Sequence, residues 1–428
     1  MMMRLLTLSF AVAAAHDYAA DVDGTGQDSK NETLHEGYSL EGLQLNLSTC
    51  DLFIVALAMA ENSPLIDSFE AGPAETLRRE PHLARCAVGA DSPLTGPGPG
   101  HLAASPMLVA GTTPVFTAIM AGQADWLAAI LDAGGDPNTR RADQALPLLV
   151  AANFGRHVET QLLIDAGADV EAAAGGMTAL ETAAELGQSE VVAVLVAAAE
   201  SRLSLMRRRT MFGSALNFAA KAGGGFEAYA AALEAQGHIV DQRPREVEAY
   251  VKVVEILVGA GVSPDHLAVG TKAAANNQEG PPLVTAAHYG RTPLVKRLLE
   301  LGADPNLAER TQEMTALISV TAHVDDEDTF LDIAKLLLLA GADCDRATIP
   351  HGGTAAIYAV LDRKYTALGA LGLSGRCDMD KADAGGKTPA DWARRSNDEN
   401  ALYVLREAKP ETAYGRNIFQ AKPEKPEP

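Results

Sequence analysis

The sequence predicts an all-α fold, a solenoid of about eight helix-turn-helix repeats plus a half-repeat, joined by β-turn fingers. Three observations predict it. A short pattern recurs at intervals near 33 residues, the mark of an array in which each unit buries its apolar face on the next. Apolar residues make up 47% of the chain but aromatics only 5%, so Ala, Leu and Val carry the interior, a mix that suits close-packed helices better than sandwiches or barrels. Glycines fall at fixed places in the pattern, where helices must stop.

In chain order, the first element is leader-like. The chain opens MMMRLLTLSFAVAAAHD, one Arg before an apolar run (5–15) that ends in small residues. Two glycosylation triplets follow, Asn31-Glu32-Thr33 and Asn46-Leu47-Ser48. Residues 1–35 are therefore expected to be a secretory signal or a disordered start, which makes the protein secretory in the first case and cytoplasmic in the second. Residues 36–110 read as a helical region in which 51–72 suits a degenerate capping repeat, with DSPLTGPGPG (91–100) as a linker. No apolar run reaches the ~18 residues needed to span a bilayer.

The array begins where the pattern begins. Its copies start at Thr113, Leu146, Thr178, Ser214, Pro281, Thr315, Thr354 and Thr388, at intervals of 33, 32, 36, 67, 34, 39 and 34 residues. Five residues after each start stands Ala118, Ala151, Ala183, Ala219, Ala286, Val320, Ala359 or Ala393, small enough for neighbouring helix backbones to approach closely. Nine residues on come Gly122, Gly155, Gly187, Gly223 and Gly290, with Asn397 in the last copy, residues that accept positive φ and close the first helix. Second helices carry an apolar stripe on one face, such as Leu127, Ile130 and Leu131, or Val295, Leu298 and Leu299. Gly134, Gly167, Gly302 and Gly375 then close them. Thr113-Pro114 and Thr388-Pro389 read as an N-cap with Pro at the first helical position, and Thr292-Pro293 reads the same way for a second helix.

Two places break the period. The copy begun at Thr315 reaches its closing Gly341 five residues late, and HVDDEDT (323–329) predicts an enlarged turn between its helices. The interval of 67 reads as a full copy (214–237) with a loosened Gly223-Gly224-Gly225 turn, then a half-repeat. In that half-repeat Val254, Leu257, Val258 and Gly261 supply a second helix, while DQRPREVEA (241–249), polar and broken by Pro244, supplies no first.

These residues trace Thr-Pro-Leu-His-x-Ala-Ala through a Gly-led second helix to Gly-Ala-Asp, and from about residue 111 to 408 the chain resembles the ankyrin repeat family. GKTPADWARR (386–395) is similar to the closing repeat of such arrays. The resemblance implies an ankyrin-type solenoid that binds another protein through its concave face and turn tips and has no catalysis of its own. One departure is systematic: the family's His is replaced in all eight copies, by Phe116, Leu149, Glu181, Asn217, Val284, Ile318, Ile357 and Asp391. That predicts the loss of a hydrogen-bond link between neighbouring repeats. Residues 409–428, ending AKPEKPEP, read as a disordered tail.

Charge and motifs narrow the function. With 35 Lys and Arg against 56 Asp and Glu, the net charge of −21 repels a phosphate backbone and excludes a nucleic-acid partner. Cys50, Cys86, Cys344 and Cys377 stand far apart with no Cys-x-x-Cys, which predicts buried single thiols rather than zinc ligands or a dense disulfide framework; in an exported chain Cys50 and Cys86 could pair. Gly385-Gly386-Lys387-Thr388 approaches a phosphate loop, but the first glycine of such a loop falls at 381, which is Lys. Gly372-Leu373-Ser374-Gly375 lacks nucleophile-elbow spacing, and no two histidines stand four apart around a Glu.

The expectation is thus no catalytic residue, no cofactor and no metal, and a monomer whose partner is another protein. Candidate partner-binding residues are the turn tips Arg140, Arg141, Glu309, Arg310, Asp345 and Arg346, and the run Arg207-Arg208-Arg209, whose guanidinium forks suit the oxygens of an acidic or phosphorylated segment. Two rival readings stand beside this one: a secreted or lumenal effector, and an enzyme subunit with its chemistry in residues 36–110.

Overall fold

The computed structural model describes residues 54, 72–87, 110–221, 247–267 and 280–408. The chain divides into two compact units, 1–179 with 228–242 and 180–227 with 243–428.

The first unit holds α1 (Gly72–Arg79) and a 3-10 turn (Pro81–Arg85), then two helix pairs. These are α2 (Pro114–Met120) with α3 (Ala124–Asp132), and α4 (Pro147–Asn153) with α5 (His157–Asp165). Pro114 and Pro147 sit in the first turn of their helices, where a missing N–H costs nothing and the ring presets φ. Seven residues make barely two turns, far below the length at which a helix persists alone, so burial must hold α2 and α4. Val115, Phe116, Ala118 and Ile119 of α2 are buried, as are Leu127 and Ile130 of α3. Full burial of each large apolar side chain contributes roughly 1.5–3 kcal/mol. First helices stack on first helices, α2 on α4, and second on second, with α1 and α5 flanking α3. A two-residue hairpin, β1 (Ala173–Ala174) antiparallel to β2 (Met177–Thr178), forms a finger after α5.

The second unit repeats this plan. It runs α6 (Ala179–Glu185), α7 (Ser189–Arg202), α8 (Leu205–Lys221), α9 (Val247–Gly259), α10 (Pro282–His288), α11 (Thr292–Glu300), α12 (Ala316–His323), α13 (Glu327–Leu339), α14 (Ala355–Leu361), α15 (Tyr365–Leu373), α16 (Pro389–Arg395) and α17 (Glu399–Glu407). One line stacks α8, α10, α12, α14 and α16, and the other stacks α7, α9, α11, α13, α15 and α17. Gly290 at φ +66° ends the turn after α10, and Gly302 at +88° ends the turn after α11, so both glycine slots of the repeat are left-handed backbone. The small-residue slot is uniform. Ala118, Ala151, Ala183, Ala219, Ala286, Val320, Ala359 and Ala393 are all fully buried, the register that the spacing predicts.

Four local expectations are corrected. The five extra residues of the copy begun at Thr315 do not enlarge its turn. Three residues separate α12 from α13, as they separate α10 from α11, and α13 is instead 13 residues long. Asp326 caps its N-terminus by accepting Thr329 N–H at 2.9 Å, and Glu327 and Asp328 follow in the first turn, where negative charge favours helix. The helix expected to start after Ser214 begins at Leu205, making α8 17 residues long. The half-repeat helix α9 packs against α8; the helix and glycine turn expected within 222–246 lie outside the described residues. Arg291, not Thr292, is the N-cap of α11, which moves Pro293 one position inward.

The fourth correction concerns the thiols. Cys344 and Cys377 are joined in a disulfide with Cα atoms 5.0 Å apart. Their separation of 33 residues brings the turn after α13 beside the turn after α15. Cys86 is also disulfide-bonded, and Cys50 lies outside the described residues.

Candidate functional site

The fingers between helix pairs are built from Asx turns that reach across to the next finger. Asn138 donates its amide to Gly167 O at 3.1 Å and accepts Asp169 N–H at 2.9 Å. Asn306 does the same toward Gly341 O and Asp343 N–H, at 3.1 and 2.5 Å. Asp265 accepts Asp304 N–H at 2.9 Å, and Asp345 accepts Asp378 N–H at 2.8 Å. One short polar side chain per finger thus satisfies otherwise orphaned backbone groups and fixes the spacing of the tips.

Against this scaffold the predicted tip residues separate into two kinds. Arg140 is exposed, yet its guanidinium donates to Gln144 O and to Ala173 O in the following finger. Arg141, expected at a tip, is 5% exposed: it forms an ion pair with Asp143 at 2.5 Å and lies 5.5 Å over the Phe116 ring. Glu309 is half-buried and accepts N–H bonds from Thr311, Gln312 and Met314 together with the Thr311 hydroxyl. Burial alone would raise its pKa, but these donors hold it below the usual glutamate value. Asp345 belongs to the finger ladder. Arg141 and Glu309 organise their own loops, while Arg140 and Asp345 also tie their fingers to the next one.

Arg310 and Arg346 are different, since both are exposed on fingers of the second unit. Arg207 is exposed on α8, where Arg208 and Arg209 follow it. A helix rather than a turn carries this run.

Polar side chains in the slot of the missing His restore part of the lost link. Glu181 of α6 accepts the Ser214 hydroxyl of α8 at 2.5 Å. Asn217 of α8 donates to Gly213 O and His266 O, both at 3.2 Å. Asp391 completes a capping box with Thr388 at the start of α16. Sequence reading missed these bonds because spacing shows which slot a residue fills but not which polar group its side chain reaches: Ser214 and Thr388 are themselves repeat starts, and only Gly213 and His266 lie outside the pattern.

The loop resembling a phosphate site is occupied by its own chain. Asp383 accepts the amides of Lys387 and Gly385 and the Trp392 indole N–H, at 2.9, 2.8 and 2.8 Å. The Lys387 amide chiefly, with the indole and Gly385 donors, outweighs burial and lowers the pKa of this carboxyl. Lys387 and Arg395 lie over the Trp392 ring at 4.8 and 5.5 Å. Among the described residues no cluster of three His, Cys, Asp or Glu side chains is placed to hold a metal ion, and no helix is long and apolar enough to cross a membrane.

Comparison with known proteins finds ankyrin repeats in two stretches of the chain. A family model of three ankyrin repeat copies matches residues 115–204, and a single ankyrin repeat matches 280–307. The potassium channel KOR1 of Oryza sativa subsp. japonica is 39% identical over 89 residues, 21% of this chain and 10% of the channel. The chain thus spans about a tenth of that relative. Among solved structures, the human ASB11 ankyrin repeat domain aligns over 57% of this chain and 90% of its own, at 22% identity and a TM-score of 0.41. The ankyrin repeat domain of Bcl-3, of the IkappaB protein family, aligns over 61% and 98%, at 19% identity and a TM-score of 0.44.

Proposed function

We propose that this ankyrin repeat protein is a non-catalytic interaction scaffold that binds another protein through its first-helix faces and finger tips. Ankyrin repeats are generally protein–protein interaction modules, and that general role is the premise. The observation that carries the finer reading is the division among the tip residues. Arg141, Glu309 and Asp345 spend their charges on internal bonds, whereas Arg310 and Arg346 project from a rigid ladder of fingers. A rigid surface loses little entropy on binding, so exposed guanidinium groups on it suit carboxylate or phosphate oxygens of a partner.

The test uses the intact chain as bait, identifies the captured protein by mass spectrometry and measures its affinity for purified variants. Arg310→Ala with Arg346→Ala is expected to weaken binding at least about tenfold, the cost of losing one charge-assisted contact. Unchanged affinity removes the finger tips from the interface. Arg207→Ala, Arg208→Ala and Arg209→Ala together form a separate arm that asks whether α8 contributes.

A second reading, a binding protein that works in an oxidising compartment, is favoured by the Cys344–Cys377 disulfide.

A further inference from the structure

We infer that the bond between Cys344 and Cys377 is a structural cross-link between two successive fingers, that it forms in an oxidising compartment, and that it fuses the C-terminal repeats into one cooperative block.

Register supports the first part. Cys344 follows Asp343, the residue whose amide is held by Asn306, and Cys377 precedes Asp378, whose amide is held by Asp345. The finger ladder therefore aligns the two cysteines before any covalent bond exists. Their Cα separation of 5.0 Å lies within the range that a disulfide requires without backbone movement. Between Gly375 and Asp378 the chain has one residue more than between Gly341 and Asp343, and that additional length places Cys377 across from Cys344.

Chemistry separates a structural bond from an exchanging one. Catalytic and rapidly exchanging thiols sit in exposed, electropositive surroundings. Here Asp343 and Asp345 flank Cys344 and Asp378 follows Cys377; Arg376, next to Cys377, is committed to Leu338 O, and Arg346 stands two residues from Cys344. Cys344 is 4% exposed, so an attacking thiolate must enter at Cys377, which is half-buried. Formation removes two protons and two electrons from the thiol pair and passes them to a disulfide oxidant, which leaves as two thiols. A reducing cytosol runs this exchange backwards, so a protein that relies on the bond belongs where thiols are oxidised. Among the described residues no cysteine is free, which agrees with that compartment.

The loop that the bond closes contains α14 and α15, and α13 and α17 pack on α15. Reduction releases that loop, and the C-terminal helices then open independently of the helices before them.

The test purifies the full chain without reductant and blocks accessible thiols under native conditions. Peptides are then mapped by mass spectrometry, and amide hydrogen exchange is followed in oxidised and reduced protein. A linked peptide holding both cysteines is expected. Reduction should speed exchange in 355–373 at least about tenfold while leaving 147–165 unchanged. Because Cys344 is buried, serine replacement perturbs packing by itself, so Cys344→Ser with Cys377→Ser serves as a control in which reductant, which also opens the bond of Cys86, must leave exchange in 355–373 unchanged. Alkylation of both thiols in the folded, unreduced chain overturns the inference. So does exchange in 355–373 that is indifferent to reduction in the wild type.

Discussion

Glu309 illustrates how little a charged residue's place in the sequence reveals about its work. It stands in a polar finger, as a partner-binding residue should, yet three amides and a hydroxyl hold its carboxylate inward. Its pKa is lowered, so its contribution to stability is present above the ordinary glutamate value of about 4.3 and is lost as pH falls through the native one. Glu309→Gln is expected to lower the unfolding midpoint at pH 7, and the gap to wild type should narrow by pH 3 in parallel urea titrations. His288 gives a second pH signature. Burial first, and then the His323 ring stacked 4.1 Å away, lower its pKa. Stability from this site is complete above the ordinary histidine value of about 6.5 and declines as pH falls toward the lowered one. His323→Ala should lessen but not abolish the fall in thermal stability between pH 7 and 5, because burial, the larger cause, remains. At Gly352 the issue is space as well as conformation. With φ at +73° and an added Cβ 2.5 Å from Ala384 N, Gly352→Ala is expected to cost at least about 1–2 kcal/mol in chemical denaturation.

At the scale of elements, most of what the chain builds was legible in it. The Ala slot, the described glycine closures apart from the late Gly341, and the Thr354, Thr315 and Thr388 starts fall where the period places them, and those three threonines cap their helices with side-chain bonds. Thr113 does not, and its hydroxyl is buried without a partner. Periodicity reports which face is buried, but it is silent about where inserted residues go. For that reason HVDDEDT read as a turn, although its carboxylates make it a good start for a longer helix. The cysteine pair was hidden in the same way: its separation of 33 is near the repeat period, but Cys344 stands three residues after Gly341 and Cys377 two after Gly375, so the two fill different slots of their fingers. The finger ladder was hidden because one Asn or Asp per turn is also what any loop contains. It makes a sharp prediction: Asn306→Ala removes two bonds between fingers and should cost about 1 kcal/mol, read as a lower urea midpoint for the second unit. Asp304→Ala should cost less at that junction, because Asp265 accepts from the backbone amide, which the substitution retains.

Each unit of the molecule is a stack in which no helix pair owns a complete core. Leu283, Ala286 and Ala287 of α10 are buried, and the helices on either side in its line are α8 and α12, which come from other copies of the repeat. Stability is then a sum over neighbouring interfaces, and a module deprived of its neighbours retains short helices that nucleation cost alone dissolves. On the proposed reading this arrangement leaves the finger tips available to a partner, since the interior is filled between modules. The most direct measurement compares far-UV circular dichroism of residues 281–313, one module, with that of residues 281–408, which contain four. Sharing of the core predicts an unfolded single module and a helical, cooperatively melting four-module fragment. A single module as helical by itself as within the longer fragment would contradict it.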